Sequence, residues 1–160
     1  MSTRDDLRNK MDPAYHAIDY RKLELATLAR SRQALLVHRW NKYLAANPHE
    51  LTTDELEQAE ADGNSSEWIA DPVSALAPHC CEGFREITKL LGETLRIDGT
   101  AAWDAAYHRT PPLFRAACDF GTSLENMREA AEEGRPGALV DHMNQARAAY
   151  LKIATLAKDV

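Results

Sequence analysis

The sequence predicts an all-α protein, a helical bundle of four main helices with two or three short ones. Three observations lead there. Apolar residues recur every three to four positions over long stretches, the period of a helix with one buried face. No segment sustains the alternation of β-branched residues that a half-buried strand requires. Only seven Gly and seven Pro interrupt 160 residues, a spacing that leaves room for long helices. Residues 1–12 form a polar lead-in, and residues 13–160 are expected to fold as one domain, since a chain of this length buries enough surface to hold a single core.

The first helix is expected over residues 13–46. Asp12 suits the cap and Pro13 the first helical position, and Asn47 followed by Pro48 supplies the stop. On a helical wheel Ile18, Leu25, Ala29, Leu36, Trp40 and Tyr43 form one stripe, the expected buried seam. Thr52 and Glu55 have capping-box spacing and open a short acidic helix, closed by the turn residues of 62–66. Asp71 and Pro72 suggest a further helical turn. A helix over 78–97 follows, with Phe84, Ile87, Leu90, Leu91 and Leu95 inward, and Asp98-Gly99 ends it.

Thr100 is read as the cap of a short helix over 101–109, and Thr110 as the cap of a helix begun by Pro111-Pro112. In that helix Leu113, Phe114, Ala117, Cys118, Leu124 and Met127 are the expected core positions, with Gly121 a point of bending. A turn at 134–137 leads into the last helix, over 138–158, where Leu139, Met143, Ala146, Tyr150, Ile153 and Ala157 repeat at spacings of four and three.

Charge is unevenly distributed. Residues 1–50 carry nine Lys/Arg against six Asp/Glu, whereas residues 51–80 carry seven acids and no Lys or Arg. The net charge of −6 disfavours nucleic acid, whose backbone demands a basic surface. No run approaches the ~20 apolar residues of a membrane span. The three cysteines, two of them adjacent, do not resemble a disulfide framework, so a cytoplasmic location is expected.

Most catalytic signatures are missing: there is no Gly-x-Ser-x-Gly, no phosphate loop and no Glu-x-x-His. The chain is therefore expected to bind rather than to catalyse, as an interaction or accessory protein that self-associates through the long helix 13–46. Its partner, another protein or a second copy, would meet Arg21, Arg32 and Arg39, which lie within about 20° on one side of that helix, together with Trp40 and Tyr43. A groove near Trp68 and Trp103 is the second expected contact, because short helices need such large side chains to anchor them.

The alternative is a small-ligand or metal-binding bundle centred on His79, Cys80, Cys81 and Glu82. These residue types are metal ligands, and a helix N-terminus lowers a thiol pKa. Neighbouring helical cysteines diverge by about 100°, however, which suits packing better than tetrahedral coordination. No resident cofactor is expected under the first reading. Under the second, a metal or a haem-like ligand is, with His38, His79, His108 and His142 as possible axial ligands.

Overall fold

The computed structural model describes residue 10 and residues 14–35, 44–46, 49–61 and 77–158. The rest of the lead-in, the centre of the expected first helix and residues 62–76, with Trp68 and the helical turn expected at Asp71 and Pro72, lie outside these residues. The main elements are α1 (Tyr20–Leu35), α2 (Thr53–Ala61), α3 (Ala77–Leu95), α4 (Gly99–Arg109), α5 (Pro112–Glu132) and α6 (Pro136–Ala157). No strand occurs among the described residues, and the chain is an all-α bundle.

Helices α5 and α6 form an antiparallel hairpin. Its turn is a Schellman closure: the Gly134 N–H donates to Ala131 O at 3.3 Å and the Arg135 N–H to Ala130 O at 3.0 Å. Gly134 adopts φ of 65°, a left-handed conformation that costs glycine little. Pro136 then starts α6 at a position where no N–H is needed. Inside the hairpin Phe120, Leu124, Met127, Met143 and Ile153 are fully buried, and the Phe120 and Tyr150 rings meet at 5.6 Å. Gly121 is buried within α5, which continues through it.

Helix α3 packs on α5, and α4 packs on α3. Phe84 joins all three: it is buried, its ring lies 6.3 Å from Phe114 of α5, and it receives Trp103 and Tyr107 of α4 edge-on. Gly83 permits the close seating. A β-carbon there would stand 3.3 Å from the Phe114 ring and 3.9 Å from Leu23 of α1.

The termini of α4 differ from the expected caps. Asp98 is the N-cap, its Oδ1 accepting the N–H groups of Thr100 and Ala101 at 2.9 and 3.0 Å. Arg96, at φ of 53°, and Ile97, whose N–H returns to Gly92 O, end α3 just before it. Thr110 serves the end of α4 rather than the start of α5: its hydroxyl donates to Tyr107 O and its N–H to Ala106 O. Pro111 flanks α5 without a side-chain cap.

The expected helix 13–46 is interrupted. Residues 14–16 make one helical turn, the chain breaks at 17–19, and Asp19 restarts it by accepting the Lys22 N–H at 3.0 Å. The turn before the break is held elsewhere, because the Tyr15 hydroxyl donates to Ala105 O of α4 at 3.2 Å. Arg109 lies 5.0 Å above the Tyr15 ring. Docking of Tyr15 on α4 and capping by Asp19 together favour two pieces over one rod.

Helix α1 also presents a different face from the expected one. Thr27, Leu28 and Ser31 are buried, where α1 crosses α5 and α6. Leu25 is 48% exposed and Ala29 is exposed. Small hydroxyl residues let the helix approach closely, and Thr27 satisfies its hydroxyl by donating to Leu23 O at 2.7 Å.

Helix α2 is opened by the expected Thr52–Glu55 box, with Thr52 Oγ1 accepting the Glu55 N–H. It is held to α6 by Asn144, whose side-chain amide accepts from Leu51 N–H at 2.6 Å and donates to Leu51 O at 3.0 Å. No described helix is long and apolar enough to cross a membrane.

Phe84→Ala removes the ring on which α3, α4 and α5 converge. A loss of about 3–5 kcal/mol is expected, measured by urea unfolding, together with a change in Trp103 fluorescence.

Candidate functional site

The predicted contact residues separate into different surfaces. Arg21 and Arg32 lie on α1, both exposed. At 100° per residue they share one outward face with Leu25 and Ala29. Arg21 approaches Glu24 at 4.0 Å. Arg32 has no ion-pair partner among the described residues. Of the stripe expected to be a buried seam, Leu25 and Ala29 are thus exposed and edged by guanidinium groups, Ile18 packs partly buried against the core, and Leu36 lies outside the described side chains. Arg39, Trp40, Tyr43 and Trp68 lie outside the described residues.

Among the described acids of α2, none pairs with this face. Glu55 pairs with His49 at 3.1 Å, and that contact, with Thr52, holds its carboxyl below the usual range. Asp54 and Glu57 are exposed and make no ion pair among the described residues.

The residues of the 79–82 stretch have divergent environments. Cys80 is completely buried, and its carbonyl accepts the Cys118 thiol at 3.3 Å, which brings these two cysteines together as free thiols. Glu82 is exposed, at the rim of a groove between α1 and α3 whose floor is Leu23, Ala26, Ile87 and Leu90. The side chains of His79 and Cys81 are outside the description. Among the described residues no group of three or more His, Cys, Asp or Glu is placed to hold a metal ion. His108 is exposed, its ring edge-on to Tyr107, and His142 shares a hydrogen bond with Gln145 at 3.2 Å.

Trp103 stands at a second cleft. It is 45% exposed, yet its ring is fixed at 4.4 Å from Phe84 in an edge-to-face contact. One turn later on the same helix, the Tyr107 hydroxyl donates to Asp119 Oδ2 at 3.0 Å. Arg115 supports Tyr107 from behind, donating to its carbonyl and lying 5.7 Å over its ring. Burial pushes the Asp119 carboxyl up from its usual range, against the opposing pull of the Tyr107 hydroxyl and the Lys152 and Arg115 charges. Tyr107 is raised as well, by burial first and then by the Asp119 contact.

Asp119 was absent from the residues expected to act. Its signal was present, in the polar positions 119, 122, 123 and 126 of the helix, which share a face by helical spacing. No protein-family model, no curated protein and no solved structure matches the chain.

Because the folded state raises the Asp119 pKa, ionisation of this carboxyl works against folding. That penalty is present at neutral pH and vanishes below the ordinary carboxyl range of about 4. Asp119→Asn keeps an acceptor for Tyr107 and removes the charge. The variant is expected to melt above the native chain at pH 7, with the gap closing as pH falls below about 4, in thermal melts followed by circular dichroism.

Proposed function

We propose that the chain is a non-catalytic helical interaction or accessory protein that self-associates through the outer face of α1. The observation carrying this reading is that face itself, with Leu25 half-exposed between Arg21 and an Arg32 that has no ion-pair partner among the described residues. Exposed leucine beside arginine is favourable interface chemistry, since Arg combines a stem that packs with a head that pairs carboxylates.

A second copy offers a complementary surface in α2, where Asp54 and Glu57 are exposed and no basic residue intervenes. A two-fold dimer would use the contact twice, α1 of each copy against α2 of the other. We assign the protein to the cytoplasm, a reading supported by the free thiols of Cys80 and Cys118.

Sedimentation equilibrium tests the proposal. The native chain is expected to dimerise, and Arg32→Glu to weaken the dimer at least about tenfold while helix content stays unchanged. Adding Glu57→Arg to that variant should restore part of the affinity. A chain that stays monomeric at all concentrations, or a dimer indifferent to Arg32→Glu, would overturn it.

A further inference from the structure

The cleft at Trp103 contains more hydrogen-bonding capacity than the fold uses. Along α5 its wall is Asp119, Thr122, Ser123 and Asn126. Ser123 is only 6% exposed, yet its hydroxyl makes no hydrogen bond with any described residue. Serines in helices commonly return the hydroxyl to a carbonyl one turn back, as Thr27, Thr88 and Thr155 do here. Asn126 likewise has no partner among the described residues. Asp119 has one oxygen committed to Tyr107, and no described donor reaches the other. The Ser123 hydroxyl opens on the cleft rather than into the core, so with no partner among the described residues it is available to an occupant of that space.

The opposite wall comes from α6, where Gln145, Ala148, Ala149 and Lys152 repeat the same spacing. The helices run antiparallel, which places Lys152 near the Asp119 end. The two alanines leave the space, an open cleft of about 470 Å³, the volume of a small-molecule site. Trp103 and Tyr107 stand at the Asp119 end.

We propose that this cleft binds a small zwitterion of the α-amino-acid type with an apolar side chain. Its ammonium sits on the second Asp119 oxygen and the Ser123 hydroxyl, its carboxylate on the Lys152 ammonium, and its side chain on the exposed part of Trp103. The charges select this class. A lone cation would meet Lys152 and a lone anion would meet Asp119, whereas a ligand with both charges matches the pair. A guanidinium fits less well, because its bidentate fork requires two carboxylate oxygens and Tyr107 already holds one. An ammonium needs only one oxygen there and has further N–H groups for Ser123.

This site uses none of the α1 residues of the dimer proposal and stands independently of it.

Titration calorimetry at neutral pH with L-phenylalanine and L-leucine tests the proposal, using phenethylamine and 3-phenylpropionate as half-ligands. At least one of the two amino acids is expected to bind, and L-phenylalanine to bind at least about tenfold more tightly than either half-ligand if it is the one that fits. Lys152→Met and Asp119→Asn should each weaken the amino acid by about tenfold or more, with circular dichroism confirming the fold. Lys152 is exposed, so its variant reports on binding even if the Asp119 variant alters the core. Absence of binding by both amino acids, a half-ligand that binds as tightly as the amino acid that fits, or indifference to Lys152→Met would each overturn the proposal.

Discussion

The three-residue reversal between α5 and α6 is the constraint on which the other contacts depend. With Gly134 in a left-handed conformation and Pro136 restarting the chain, the two longest helices return alongside each other at a set register. That register brings Phe120 to Tyr150 and builds the platform on which α1, α2 and α3 seat. The same register aligns the polar face of α5 with the two alanines of α6. Core and cleft are therefore two sides of one packing solution. A slip of one helix along the other would lose both, since the inner side chains interdigitate and the outer ones must face a common space.

Away from the hairpin, the structure attaches its smaller parts by single polar anchors placed on apolar supports. Tyr15 ties the first helical turn to α4, Asp98 starts α4, and Tyr107 ties α4 to α5 through Asp119. The two tyrosine anchors satisfy partly buried groups, whereas the Asp98 cap is exposed and satisfies the free N–H groups of a helix start. The Tyr107–Asp119 contact differs from the rest because a partly buried carboxylate carries charge against its surroundings. Such a group is destabilising in itself, and a site that uses it commonly sacrifices some folding stability.

Much of the architecture was legible in the sequence. The core positions of α5 and α6 followed from spacing alone: Leu113, Phe114, Leu124, Met127, Leu139, Met143 and Ile153 are all buried. The Thr52–Glu55 box and the turn at Gly134 followed from local chemistry. The errors arose where tertiary contacts choose between local options. Asp19 falls inside the helix expected over 13–46, but docking of Tyr15 on α4 makes it a cap. The stripe through Leu25 is regular enough to resemble a seam, yet close approach selected the smaller Thr27 and Ser31. Asp98 and Thr110 are both able to cap a helix on either side, and spacing does not choose between them. The candidate sites were legible only in part: Arg21, Arg32 and Trp103 are exposed, while the polar face of α5 went unnoticed because each of its residues is ordinary alone.

The Asn144 clamp has a consequence for how the molecule opens. In segment 49–61 the Asn144 amide of α6 meets both backbone groups of Leu51, and the Leu51 side chain is buried. Segments held this way form sub-global opening units, whose amide protons exchange through excursions smaller than complete unfolding. Detachment of α2 would expose Leu51 while the α5–α6 hairpin stays closed. Where the clamp opens alone, anything that binds the acidic helix in the docked position slows its local exchange without changing the exchange of the core.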